Sequence, residues 1–366
     1  MKKDIQIPSL FSLFPLGRNR LDIWDFIRQV DYVYRGLGIP TLYGTLSILA
    51  NKSVFFISGR GTGKTRIINL IPQVNGTEIS KWDTFTLGEL NDYCCEHVVT
   101  NKHLVFKVQE FSTLSDYHRD IFLTVCSKIV TDGNYKHIPK HLPCLNIRNC
   151  KLTLLIAIQP KLYSLLCNRY IQWESMSYDR FTKFLLINPL RSETVHVPLI
   201  PTLPREISQN VTFRANDLDL NKLVSMFRGH VSEGRALLYA KDYSVALAKF
   251  MGAEKVEQKH IDRFYQLFHP YLNSFSVLQH AKDLDSPVTV SSGCMKLLME
   301  IGKSNDAVRK QDLAERLYVV ERSIERTANH LLEARLIERP EPAQYCLSEN
   351  LRNFFKWYDD KIGFPL

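Results

Sequence analysis

Nowhere in these 366 residues do eighteen apolar side chains run together, and Lys2 and Lys3 are followed by no sustained apolar core. The sequence therefore reads as having neither a membrane span nor a signal peptide. Cysteine is present but unpatterned. The eight cysteines, at 94, 95, 126, 144, 150, 167, 294 and 346, show no C-x-x-C spacing and no Cys/His zinc pattern. Free thiols in a reducing compartment are the simplest account, which makes a cytoplasmic location the expectation. The charge excess of a disordered chain is missing too, since 45% of residues are apolar and 23% charged.

What is present is a basic chain long enough for two to three domains and a sizeable core. Its net charge of +9 suits a polyanionic partner. Residues 101–200 hold 13 Lys/Arg against 7 Asp/Glu, whereas 301–366 hold 11 of each, so the surplus lies mid-chain.

The stretch around which the rest is organised is Val54-Phe55-Phe56-Ile57-Ser58-Gly59-Arg60-Gly61-Thr62-Gly63-Lys64-Thr65-Arg66-Ile67-Ile68, a β-rich run that breaks into glycines and restarts as a helix. This is the pattern of a P-loop, with Ser58 in place of the first glycine. Phosphate oxygens need close backbone approach, which Gly59, Gly61 and Gly63 permit, with Ser58, Arg60 and Thr62 completing the cradle. Lys64 reaches the β- and γ-phosphates of ATP, and Thr65 offers its hydroxyl to Mg²⁺. The positive end of the following helix adds attraction.

Further along, His103 to Phe111 reads as a strand carrying Gln109-Glu110. P-loop motors place an Asp-Glu pair at such a strand end, the first on the metal's water shell and the second on the attacking water. Here Gln109 takes the metal side and Glu110 the water side, unless the pair is an incidental strand end. Ser115 to Val130 has helical period. After it, Asp132-Gly133-Asn134 signals a turn, and residues 136–151 contain Lys136, Lys140, Arg148 and Lys151 with no acid. This segment reads either as a protruding basic hairpin that meets DNA or as a solvated loop. Lys151 to Ile158 is an apolar run suited to a buried parallel strand, and Gln159-Pro160 ends it where open α/β sheets bind ligands. Tyr178-Asp179-Arg180-Phe181 precedes a strand expected at Phe184 to Asn188.

The order P-loop, strand-Gln-Glu, basic hairpin, strand-Gln-Pro and Asp-Arg-Phe resembles an AAA+ ATPase, nearest in style to the MoxR and MCM-like branch, over about residues 20–265. The resemblance implies a Walker B pair at Gln109 and Glu110, sensor 1 at Gln159, and an arginine finger at Arg180 reaching a neighbouring subunit. It also implies a self-assembled ring or filament. Beyond the proline-bearing stretch 198–204, the run Gly229 to Leu238 resembles an AAA+ lid, as in origin initiators, with its sensor 2 arginine at Arg235. An ordinary salt bridge is the other reading of Arg235.

The last unit has the period of a helix, a short helix, a longer helix and a strand, the pattern of a winged helix-turn-helix. Val320, Ile324, Leu331 and Leu332 are expected to face inward, with Arg322 and Arg326 outward toward DNA. Glu321 and Glu325 beside them leave a protein-docking role open.

The expected architecture is therefore an α/β fold: an AAA+ parallel sheet over 1–200, a helical lid over 205–270 and a winged-helix domain over 286–366. The expected activity is that of an oligomeric, DNA-engaging ATPase. Two alternatives stand: a MoxR-like remodeller of a protein client, and a nucleotide switch that hydrolyses slowly because Gln109 lacks a negative charge.

Overall fold

The computed structural model describes residues 22–59, 62–82, 86–96, 99–109, 111, 114–137, 145–163, 180–187, 201, 203, 207, 210–280, 292–304 and 306–362. It opens on helix α1 (Ile23–Val33), where the Asp22 N–H donates to the Asp25 carboxylate at 3.2 Å and satisfies a donor at the helix start. Ile23, Phe26, Ile27 and Val30 are buried at helical spacing, as the period predicts. Helix α2 (Gly38–Ala50) is buried almost throughout and turns through Asn51, in the left-handed region at φ 52°, into strand β1 (Ser53–Ile57).

Helix α3 (Lys64–Leu70) follows the P-loop, and then come β2 (Thr77–Lys81), α4 (Leu87–Glu96) and β3 (His103–Val108). Helix α5 (Asp116–Asp132) is capped by Ser115, whose hydroxyl accepts from the His118 N–H, and ends at Gly133 with φ 67°. A Cβ at Gly133 would lie 3.0 Å from the Cys150 carbonyl, so the turn requires glycine on two counts. Strands β4 (Tyr135–His137) and β5 (Leu145–Ile147) form an antiparallel pair, and β6 (Lys151–Ile158) and β7 (Phe181–Leu185) complete the strands of this half. Strand β7 starts at Phe181, three residues before the predicted start, because Phe181 pairs with Ser53 and Thr182 with Val54.

Five strands form one parallel sheet in the order β2-β3-β6-β1-β7. All of β1 and β7, and β6 from Leu152 onward, are buried, as parallel strands covered on both faces should be. The chain is thus an α/β protein built on a five-stranded parallel sheet.

A helical unit follows: α6 (Asn221–Arg228), α7 (Glu233–Phe250) and α8 (Gln258–His280), the last continuing past the expected boundary at 270. Aromatic side chains join it to the sheet half. Tyr243 stacks on Tyr43 and Phe227 at 5.3 Å each, and Tyr271 stacks on Phe184 at 4.8 Å. The Tyr243 hydroxyl lies 3.0 Å from the Ser47 hydroxyl, which gives this buried phenol a polar partner. Buried His230 accepts from the Lys183 N–H at Nδ1 and donates from Nε2 to the Leu272 carbonyl. Burial, helped by the nearby Lys183 charge, pushes His230 down to about 3 and keeps it neutral.

The C-terminal unit comprises α9 (Ser292–Gly302), β8 (Val308–Arg309), α10 (Lys310–Leu317), α11 (Glu321–Glu333), β9 (Ile337–Glu338), β10 (Gln344–Leu347) and α12 (Glu349–Ile362). Its small antiparallel sheet has the order β8-β10-β9. Ile324 and Leu331 are buried as expected and Leu332 partly so, but Val320 is 72% exposed. The reason is local: Val320 is the extended N-cap residue of α11, so the helical period that would turn it inward begins one residue later.

Helix α12 docks back on α1 and α8. Trp357 meets Trp24 edge-on at 5.4 Å, Phe354 meets Tyr271 at 5.8 Å, and Arg35 pairs with Asp359 at 3.3 Å. In the middle, the buried Asp31 carboxylate accepts from the Tyr358 hydroxyl and from the Gly38 N–H. Burial pushes Asp31 up to about 7, against the opposing pull of those hydrogen bonds and of Arg35. Between 3.8 and about 7 the folded chain holds a proton at Asp31 that the unfolded chain has released, so this group's contribution to stability falls as pH rises through that window. Compared with Asp31→Asn, the parent should lose on the order of 4 kcal/mol across it by this linkage. Denaturant unfolding at a series of pH values checks this, and parallel curves for the two proteins would show that Asp31 does not titrate there.

Candidate nucleotide site

Three strand ends meet beside the P-loop because the ladder registers them. Ile57 of β1 pairs with Ile158 of β6, and Val108 of β3 with Ile156, so Ser58, Gln109 and Gln159 emerge at one edge of the sheet. Ser58 tolerates the first-glycine position because its φ is not in the left-handed region. Its buried hydroxyl donates to the Leu186 carbonyl and its N–H to the Ile158 carbonyl, both at 3.3 Å.

Among the described glycines of the loop, Gly63 is the constrained one, at φ 92°, where a Cβ would stand 3.1 Å from a Leu37 methyl. Thr62 Oγ1 donates to the Gly59 carbonyl at 3.0 Å, and the Lys64 ammonium donates to the same oxygen. Both ends of the loop are thereby tied, with the ammonium held at its mouth. Arg60, Gly61 and Glu110 lie outside the described residues.

On the side where the sequence pattern expects a metal stand Thr65 and Gln109. The Thr65 hydroxyl donates to the Gln109 carbonyl at 3.4 Å, and Gln109 Nε2 donates to Asn69 Oδ1 at 2.7 Å. A hydroxyl and an amide oxygen are the hard oxygen donors that suit Mg²⁺, directly or through its water shell. Behind them, the buried Lys107 ammonium donates to the Ile71 carbonyl at the end of α3. Burial, with Lys81 nearby, lowers Lys107 to about 8. Lys107 and Gln109 stand two residues apart, so one face of the β3 end grips the last turn of α3 twice.

The segment between α1 and α2 closes the other side. The Arg66 guanidinium lies 4.7 Å from the Tyr34 ring centroid and Leu37 packs on Gly63. Sequence reasoning missed Tyr34, Leu37, Asn69 and Lys107. Only Asn69 leaves a trace there, four residues after Thr65 and so on the same helix face.

Gln159 is half-buried at the end of β6, beside Ser58. Arg180 and Arg235 are elsewhere. Arg180 precedes β7 at the edge where that strand begins, opposite the P-loop, and donates to the Ser127 carbonyl at 3.3 Å. Arg235 lies in the first turn of α7, one turn before Tyr239, whose ring Lys52 at the foot of β1 covers at 4.7 Å. The structure therefore places both arginines toward the end of the sheet opposite their own P-loop.

Lys136 on β4, Arg148 and Lys151 are all exposed, with Lys151 at the start of β6 and hence also at the edge opposite the P-loop. Lys140 lies outside the described residues. On α11, Glu321 and Glu325 turn to Lys310, at 3.3 and 3.7 Å, leaving Arg322 and Arg326 on the exposed face.

No family model matches this chain, and no curated protein does. Among solved structures it is similar to the RuvB Holliday junction branch migration motor of Thermotoga maritima, at 12% identity and a TM-score of 0.21, over 83% of this chain and 87% of that one. Two single-residue variants of the same RuvB align at 12% identity, with TM-scores of 0.25 and 0.23, over 90% and 92% of this chain and 98% and 96% of theirs. Likeness at this level assigns neither a family nor an activity. What the fold and loop define is an α/β protein whose P-loop joins an interior strand of a parallel sheet to the helix after it. Among the described residues no helix is long and apolar enough to cross a membrane, and Cys126, Cys150, Cys294 and Cys346 are buried.

If the loop holds phosphate through Lys64, Lys64→Ala should abolish ATP binding while leaving the fold intact. Isothermal titration calorimetry decides this, and unchanged affinity would sink the assignment.

Proposed function

We propose that the chain is an AAA+ ATPase that assembles with copies of itself and engages DNA. The observation that carries this reading is the convergence of the P-loop, Gln109 and Gln159 at one sheet edge, with Arg180 and Arg235 at the opposite edge. In this reading Lys64 and the loop N–H groups hold the phosphates, and Thr65 and Gln109 hold the metal's shell. Mg²⁺, when bound, neutralises charge on the phosphates. Glu110 orients the attacking water, and Gln159 contacts that water or the terminal phosphate.

Arg180 and Arg235 are too far along the strands to serve their own P-loop. The sheet runs about 3.3 Å per residue, so the five residues of β1 put roughly 16 Å between its two ends. Both arginines therefore act on the nucleotide of a neighbouring copy. Beside Arg235, Leu237 and Leu238 are 56% and 46% exposed, an apolar surface suited to burial in that contact. Mixing Arg180→Ala with Lys64→Ala protein should recover part of the ATPase rate, because some mixed interfaces pair an intact loop with an intact arginine. Absence of recovery in mixtures shown to co-assemble would count against action across the interface.

For DNA, the supporting features are the exposed cations of the β4–β5 region and the C-terminal unit, which we read as a winged helix with α11 as its recognition helix. Lys310 pairs with both Glu321 and Glu325 and offsets part of the negative charge beside Arg322 and Arg326. One observation favours the protein-remodelling alternative: Tyr318, Val319 and Val320 are 95%, 43% and 72% exposed in the turn before α11, a contiguous apolar patch. ATPase rates with and without DNA separate the two. On the DNA reading, neutralising Lys136, Arg148 and Lys151 should weaken binding to every sequence and flatten its salt dependence by roughly one unit of slope per lost phosphate contact. Changing Arg322 and Arg326 should instead reduce sequence preference. Binding without salt dependence, or binding that survives loss of both sets, would favour a protein client.

A further inference from the structure

Resting on the nucleotide-site reading, we infer that Asn69 is a positioning residue that lets the amide of Gln109 serve where a carboxylate would otherwise stand. Water molecules around a dication point their hydrogens outward, so whatever holds that shell must accept. A carboxylate accepts in any orientation, because both of its atoms are oxygens. An amide accepts at one atom and donates at the other, so half of its orientations turn an NH₂ toward the shell.

In the structure Asn69 presents its oxygen to this amide, and an acceptor at that position selects one of the two orientations. Its Oδ1 takes the Gln109 Nε2 hydrogen at 2.7 Å, which commits the amide nitrogen to α3 and leaves Oε1 as the free acceptor. Asn69 stands four residues after Thr65 on the same helix, and the Thr65 hydroxyl touches the Gln109 backbone at 3.4 Å. Gln109 is thus held at its backbone by Thr65 and at its side-chain amide by Asn69. The Lys107 bond to the Ile71 carbonyl secures the same strand end to the same helix independently, so Asn69 is not needed merely to join them.

The test is the Mg²⁺ concentration that gives half-maximal thermal stabilisation of the full chain at fixed ATP, a measurement that needs no turnover. In the parent background, Asn69→Leu should raise that concentration by about three- to tenfold, the effect of losing one orienting hydrogen bond. Asn69→Asp keeps the acceptor and should not raise it. In a Gln109→Asp background, where the carboxylate needs no orienting, Asn69→Leu should shift the midpoint by less than about twofold. Asn69 is exposed, and unfolding without nucleotide checks that each variant folds. An unchanged midpoint in Asn69→Leu, or an equal shift in both backgrounds, overturns the positioning role while leaving the nucleotide reading in place. Absence of any ATP-dependent stabilisation in the parent overturns both.

Discussion

Parallel pairing of β1 with β6 and of β6 with β3 is the constraint on which the rest of this molecule depends. Each ladder fixes its register, since a one-residue slip would exchange the side chains packed against the two faces and break the close packing on both. With Ile57 set against Ile158 and Val108 against Ile156, the residues after each strand end must meet. Those residues are the P-loop, Gln159 and Gln109. The chemistry proposed for them needs positions held to fractions of an ångström, and a sheet buried on both faces supplies that rigidity.

The same loop is tied to the distant C-terminal unit through one short segment. Tyr34 and Leu37 touch Arg66 and Gly63 on the nucleotide side, while Asp31, seven residues before Gly38, accepts from both the Gly38 N–H and the Tyr358 hydroxyl of α12. A buried carboxylate with two fixed donors is costly to disturb, because its separation from either donor leaves a polar group unsatisfied out of water. The edge-on tryptophans Trp24 and Trp357 and the Arg35–Asp359 pair surround this bond. The α1–α2 connection and α12 therefore share one buried polar contact.

Much of the fold was readable from periodicity. The buried run of β6, the turn at Gly133 and the succession of helices after residue 290 all stand where pattern put them. Failures came where a tertiary partner outweighed local pattern. Strand β7 begins early because Ser53 and Val54 offer ladder partners to Phe181 and Thr182, and Val320 lies outside because the cap, not the helix, sets its direction.

At the candidate site the division is sharper. The sequence by itself determined the P-loop, since glycine spacing and an adjacent lysine and threonine are local requirements of phosphate contact, and it also marked Gln109 as an amide in a carboxylate's place. Only tertiary structure decided what surrounds that amide: Asn69 lies forty residues away along the chain and meets it because α3 packs against the end of β3. Tertiary structure likewise placed Arg235 toward the foot of β1 rather than beside the P-loop, because α7 has its first turns there. Local sequence carries bonding needs and helical or strand period, whereas the pairing of distant donors and acceptors is set by how the elements pack.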